Sequence, residues 1–171
     1  MQKSINGASF RKMVLAGVSL LEQNKEYIDS LNVFPVPDGD TGTNMFLTMK
    51  SAMTEINKCM NNDMPALSEA FSKGALRGAR GNSGVITSQI FKGFCSVTAG
   101  CKEISTKDFA KAMQEGATIA YKAVTKPKEG TILTVIRVMA ENAVALAKKH
   151  EDFEIFLKKV IDTGEEILKQ T

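Results

Sequence analysis

Apolar residues recur at three- and four-residue spacing along most of this chain, the period of helices with one buried face. Phe10, Met13, Val14, Gly17, Leu20 and Leu21 share one face of a predicted helix from about Ala8 to Asn24, and a short helical piece from Tyr27 to Leu31 continues it. The pattern then breaks over residues 32–42, where two prolines and two glycines bar any helix. Met45, Met49, Ala52, Met53 and Ile56 line a second helix from about Thr43 to Cys59, which ends at the polar stretch 61–65. A third spans about Ala66 to Arg80, Gly81-Asn82 interrupts, and a fourth runs from about Ser83 to Val97. The fifth, capped by Ser105 or Thr106, reaches about Val124; the sixth spans about Thr131 to Lys149 and the seventh about Asp152 to Lys169. No convincing strand alternation appears. The pattern predicts an all-α, antiparallel helical bundle or barrel in a single domain over 1–171.

Short connections make consecutive helices antiparallel neighbours, so the second, fourth and sixth helices begin at the same end. Their starting loops, residues 32–42, 80–83 and 125–131, are the ones richest in Gly, Asn, Ser, Thr and Asp. One end of the bundle therefore collects three helix N-termini, whose free N–H groups and dipoles favour anions.

The first of these loops carries Pro37-Asp38-Gly39-Asp40-Thr41-Gly42-Thr43-Asn44. Asp38 and Asp40 offer carboxylate oxygens suited to Mg²⁺, and Thr41, Thr43 and Asn44 offer donors for phosphate. Carboxylates repel phosphate unless a cation lies between them, so the pairing implies a metal. A capped turn, with Asp as an ordinary helix cap, is the plain alternative. A calcium-binding EF-hand does not fit, because its glycine and glutamate places would hold Thr43 and Met49. In the second loop, Gly81, Asn82, Ser83 and Gly84 open a helix and form a second phosphate cradle, with Ser83 as a plain cap in the simpler reading. In the third, Thr131 caps the sixth helix and sits near the other two loops.

Composition narrows the classes. Hydrophobic residues make up 43% and charged residues 24%, within the range of folded globular domains. The net charge of +3 is spread out and aromatics are 6%, which argues against a nucleic-acid face. Three cysteines without a CxxC pair fit a reducing, cytoplasmic setting. The single histidine, His150, excludes multi-histidine metal sites. No run of about 18 apolar residues exists, so no membrane span is expected.

Residues 32–45, NVFPVPDGDTGTNM, resemble the signature of the fatty acid kinase family, in its ATP-binding kinase component. Residues 78–86, GARGNSGVI, and 126–134, KPKEGTILT, resemble its further motifs in the same order. That family is related to the ATP-binding L subunit of dihydroxyacetone kinase. The resemblance implies an antiparallel helical barrel of seven to eight helices with nucleotide at one end. It implies that Asp38 and Asp40 ligate one or two Mg²⁺ ions and that Thr41, Gly42, Thr43 and Asn44 lie along the phosphates of ATP or ADP. Gly81, Asn82, Ser83 and Gly84 would form the facing cradle, with Thr131 near the nucleotide. The dihydroxyacetone kinase relatives carry a third Asp where this chain has Val33, which leaves Asn32 as the nearest candidate for a third metal ligand. They also carry His where this chain has Thr41.

The implied reaction is transfer of the ATP γ-phosphoryl group to a fatty acid carboxylate, giving an acyl phosphate, with the fatty acid presented by a separate fatty-acid-binding protein. Family members continue past this length, so the chain reads as an N-terminal ATP-binding domain lacking an eighth helix and the carrier-binding domains. A homodimer of the full-length protein stays open. Two other readings remain: dihydroxyacetone-kinase-like phosphotransfer to another small acceptor, and a non-catalytic nucleotide-binding regulatory module.

Overall fold

The computed structural model describes residues 1–34 and 36–171; Pro35, one of the two prolines expected to bar a helix, lies outside the described residues. Among the described residues seven helices account for most of the chain: α1 (Gly7–Ser30), α2 (Thr41–Asn57), α3 (Met64–Gly78), α4 (Gly81–Thr98), α5 (Thr106–Ala123), α6 (Ile132–Lys149) and α7 (Phe153–Leu168). The all-α prediction holds. The two predicted pieces at the start are one helix, because nothing between Asn24 and Tyr27 breaks the backbone pattern. α2 and α4 each begin two residues earlier than predicted, at Thr41 and Gly81. The first turn of a helix tolerates polar residues and glycine, so hydrophobic period does not mark it.

Among the described residues two short strands accompany the helices, β1 (Ser4–Ile5) and β2 (Ile104–Ser105), paired antiparallel with Ile5 opposite Ile104. Two residues are too few to show a period of two, so the sequence carries no signal for them. Their pairing ties the start of α1 to the start of α5, and the Phe153 N–H donates to the Gln2 carbonyl at 2.7 Å, adding the start of α7. Arg11 adds the α2–α3 turn: its guanidinium donates to the carbonyls of Ile56, Cys59 and Asn61 and to Asn62 Oδ1 at 2.7–3.0 Å. α1, α3, α5 and α7 thus all begin at one end, as the parity of short connections requires.

Consecutive helices pack on one another and α2 also packs on α4. Phenyl rings run through the interior from α1 to α7: Phe10–Phe71, Phe71–Phe91, Phe91–Phe94, Phe94–Phe109 and Phe109–Phe153, with centroids 4.6–6.2 Å apart. Such tilted pairs each add about 0.5–1.5 kcal/mol beyond area burial. An apolar pocket of about 330 Å³, open to solvent on one side, lies among α1 to α5 and is bordered by Phe10, Met13, Met45, Met49 and Phe91. Among the described residues no helix is long and apolar enough to cross a membrane.

Candidate functional site

The first loop is built by the junction of α1 and α2. Asp29, in the last turn of α1, accepts the Thr43 backbone N–H at 2.9 Å and the Thr43 hydroxyl at 2.5 Å. It supplies from a neighbouring helix the oxygen that an N-cap side chain normally supplies from its own. Asp40 occupies the N-cap position of α2, yet makes no side-chain cap hydrogen bond, and its backbone (φ −126°, ψ 8°) lacks the extended conformation of a typical cap. Burial alone would raise the Asp29 pKa; hydrogen bonds from Thr43 and the Gly42 backbone, with Lys25 nearby, outweigh that and hold it below the ordinary 3.8. The helices approach closely here because Gly42 is buried against α1: a Cβ on it would overlap the Lys25 carbonyl oxygen.

Asn32 clasps the loop. Its amide donates to the Val36 carbonyl at 3.0 Å and its oxygen accepts the Asp40 N–H at 3.2 Å. The side chain considered as a third metal ligand is therefore engaged in closing the bend. Within that bend Gly39 turns the backbone at φ 67°, and Asp38 and Asp40 face one another across it. Partial desolvation first, then the hydrogen bond and repulsion from Asp40, push the Asp38 pKa above its ordinary value. Among the described residues the acidic pair forms no salt bridge, and its carboxylate oxygens could accept a cation. Among the described residues no cluster of three or more His, Cys, Asp or Glu could hold a metal by itself. A pair of carboxylates suits Mg²⁺, which keeps several waters and completes its shell with substrate phosphates.

The second loop meets the first directly. The Ser83 hydroxyl donates to the Thr41 carbonyl at 3.2 Å, and the Arg80 N–H donates to Thr48 Oγ1 at 3.3 Å. Thr48 in turn donates to the Asn44 carbonyl at 2.7 Å. The Asn44 side chain lies against the Cα of Gly81, which has φ 63°; a Cβ there would overlap Asn44 Nδ2. Gly84 is buried against Thr48, while Asn82 is exposed at the helix start. Ser83 is therefore no cap: α4 begins on Arg80 with no side-chain cap hydrogen bond, and Ser83 stitches two helix starts together.

The third loop comes to the same end. Lys128 Nζ lies 5.5 Å from the centroid of the Phe34 ring. Thr131 caps α6, accepting the Leu133 N–H at 3.3 Å and donating to the Lys128 carbonyl at 2.8 Å. Glu129 braces the loop, accepting from Tyr121 at 3.1 Å, Arg137 at 2.8 Å and Thr134 at 2.7 Å. The Thr134 hydroxyl, first, and the Arg137 guanidinium hold its carboxyl below the ordinary value.

Two of the seven helices among the described residues lack a cap of their own. α1, α3, α5 and α7 are capped by the side chains of Asn6, Asp63, Ser105 and Asp152. α2 and α4 start without a cap from their own N-cap residue, side by side, next to the acidic pair. Amides at a helix start need an acceptor, and an anion is one. The geometry can thus hold a cation on Asp38 and Asp40 beside an anion at the starts of α2 and α4. Sequence reasoning missed Asp29, Thr48, Glu129 and Arg137. Asp29 did leave a signal: an acid in the last turn of a helix opposes that helix's own dipole and asks for a partner elsewhere.

Comparison with known proteins shows the family of the chain. Protein YloV of Bacillus subtilis is 48% identical over 169 residues, 99% of this chain and 31% of that protein. Uncharacterized proteins of Staphylococcus epidermidis and Staphylococcus aureus are 48% and 47% identical over 171 residues, all of this chain and 31% of theirs. The chain thus spans 31% of the length of these relatives. Residues 35–171, which run from the acidic loop through α7, match the DAK2 domain. The chain belongs to the DAK2 domain family and is a dihydroxyacetone-kinase-like domain.

Proposed function

We propose that this domain binds Mg-ATP at the α2 and α4 starts and supports transfer of the γ-phosphoryl group to a fatty acid carboxylate. The observation that carries the binding half is the juxtaposition of two helix starts lacking caps of their own with the Asp38–Asp40 pair. The acceptor half rests on the resemblance of the three loop motifs to those of fatty acid kinases, within the dihydroxyacetone-kinase-like family to which the chain belongs.

In this reading Asp38 and Asp40 hold one or two Mg²⁺ ions, with Asn32 keeping the bend closed around them. Bound metal supplies charge neutralisation for the phosphates, which phosphoryl transfer needs more than it needs covalent help from the protein. Thr41, Gly42, Thr43, Asn44, Gly81, Asn82, Ser83 and Gly84 surround the phosphates, Thr43 being fixed there through its bonds to Asp29, and Thr131 shapes the third side. The carboxylate oxygen forms a bond to the γ-phosphorus, the bond to the ADP oxygen breaks, and ADP leaves. A fatty acid is already ionised near neutral pH, so no general base is required. A fatty-acid-binding protein presents the acceptor, and cytoplasmic ATP is the donor.

The test is a thermal melt with and without Mg-ATP, followed by calorimetry on Asp38→Asn and Asp40→Asn. Both variants are expected to keep their helical circular dichroism and to lose magnesium-dependent ATP binding. Unchanged binding in both removes the metal role. Acyl phosphate formation by the full-length protein with a fatty-acid-loaded carrier tests the acceptor, and ATP binding without transfer removes that half.

A further inference from the structure

We infer that Asp29 is a positioning residue for the cation site: it takes over the capping of α2 so that the Asp40 carboxylate stays free. The inference rests on the metal reading of Asp38 and Asp40. Three observations carry it. Asp40 holds the N-cap position, where aspartate is among the preferred residues because its carboxylate reaches the N–H two or three places on. That N–H, on Thr43, is already taken by Asp29 at 2.9 Å, with the Thr43 hydroxyl bound to the other oxygen of the same carboxylate. The Asp40 backbone stands at ψ 8°, outside the extended region, held by its N–H bond to Asn32 Oδ1.

The consequence is a competition. Without Asp29 the Thr43 amide is an orphan donor at a helix start. The nearest acceptor able to relieve it is Asp40, by rotation into the extended conformation of an ordinary cap. A carboxylate engaged in that cap is withdrawn from the pair with Asp38. α1 therefore decides whether the acid at residue 40 serves its own helix or a ligand. A cap oxygen alone is enough for the task, so an amide at position 29 preserves it and a methyl group does not.

The experiment is a Mn²⁺ titration of the 171-residue chain by electron paramagnetic resonance at about 15 °C, paired with melts in EDTA. Asp29→Ala is expected to weaken Mn²⁺ binding about five- to tenfold, the fraction lost to a competing cap. Asp29→Asn, which keeps an acceptor for the Thr43 N–H, is expected to stay within about threefold of the parent chain. A purely structural strut would lower the EDTA melt of Asp29→Ala and leave Mn²⁺ affinity unmoved below the transition. Mn²⁺ affinity equal to the parent's in Asp29→Ala overturns the positioning role while the metal site stands. Equal losses in Asp29→Asn and Asp29→Ala also overturn it, since charge and not the cap would then be at work. Should Asp29→Ala fail to fold, Asp29→Asn decides: Mn²⁺ affinity within about threefold of the parent's supports the amide cap, and a larger loss overturns it. A parent chain that binds no Mn²⁺ overturns the metal reading itself and the inference with it.

Discussion

The side chain of Asn44, in the first turn of α2, rests on the bare Cα of Gly81, the first residue of α4. Two loops 37 residues apart in sequence are thereby held as one surface. Gly81 also has φ 63°, where a side chain is strained. Gly81→Ala is expected to cost about 1–2 kcal/mol in backbone strain alone and to push Asn44 aside. Urea denaturation reads the first effect. Loss of the Mg-ATP thermal shift, at a temperature where the variant is folded, reads the second.

Arg11 acts at the other end of α2. Three of its four hydrogen bonds to the α2–α3 turn satisfy backbone carbonyls at and just past a helix C-terminus, where a cation is favoured. α1 thus sets a base against the C-terminus of α2 and an acid, Asp29, against its N-terminus. Arg11→Ala is expected to destabilise the fold by about 2 kcal/mol. Nucleotide affinity measured below the transition should not change, because the lesion lies at the end away from the acidic pair.

The Asp29 contact makes part of the stability depend on pH. Its folded pKa is depressed, so in acid the unfolded chain takes up the proton first and stability rises with pH. The contribution is present above the unfolded value, about 3.9, and is lost as pH falls through the folded one. The difference in melting temperature between the parent chain and Asp29→Asn should therefore be larger at about pH 7 than at about pH 3. Calorimetric melts at the two values check it, and an equal difference at both would show that the charge contributes nothing.

The brace around Glu129 predicts a local effect. Arg137 has a side chain 38% exposed, and such pairs add at most about 1 kcal/mol. Arg137→Met should barely move the melting temperature. Amide hydrogen exchange of residues 125–131 should quicken, since the loop loses the cation that holds Glu129 against Tyr121 and Thr134.

Cys95 is buried on α4 and its thiol is pushed up to about 12 by desolvation. The thiolate is the reactive form. Iodoacetamide at about pH 8 should leave Cys95 unmodified in the native chain and modify it in urea, as peptide mass spectrometry would show.

Local pattern alone was enough for the helices, for their approximate ends and for the order of polar loops between them. Met45, Met49 and Ile56 repeat at the helical period whatever packs on them, and Pro37 and Gly39 bar a helix ahead of α2, whereas Gly42, also expected to bar one, lies inside α2. The parity of short connections even predicted which loops share an end. Tertiary structure decided what individual polar atoms do there, because hydrogen bonds between helices have no sequence period. Ser83, which reads locally as a cap, bonds instead to Thr41; Asn32 spends its amide on Val36 and Asp40; and Asp29, an acid poorly placed on its own helix, completes another. The pairing of Ile5 with Ile104 is equally non-local. Each depends on a distance across the bundle that is set only once the apolar faces have packed.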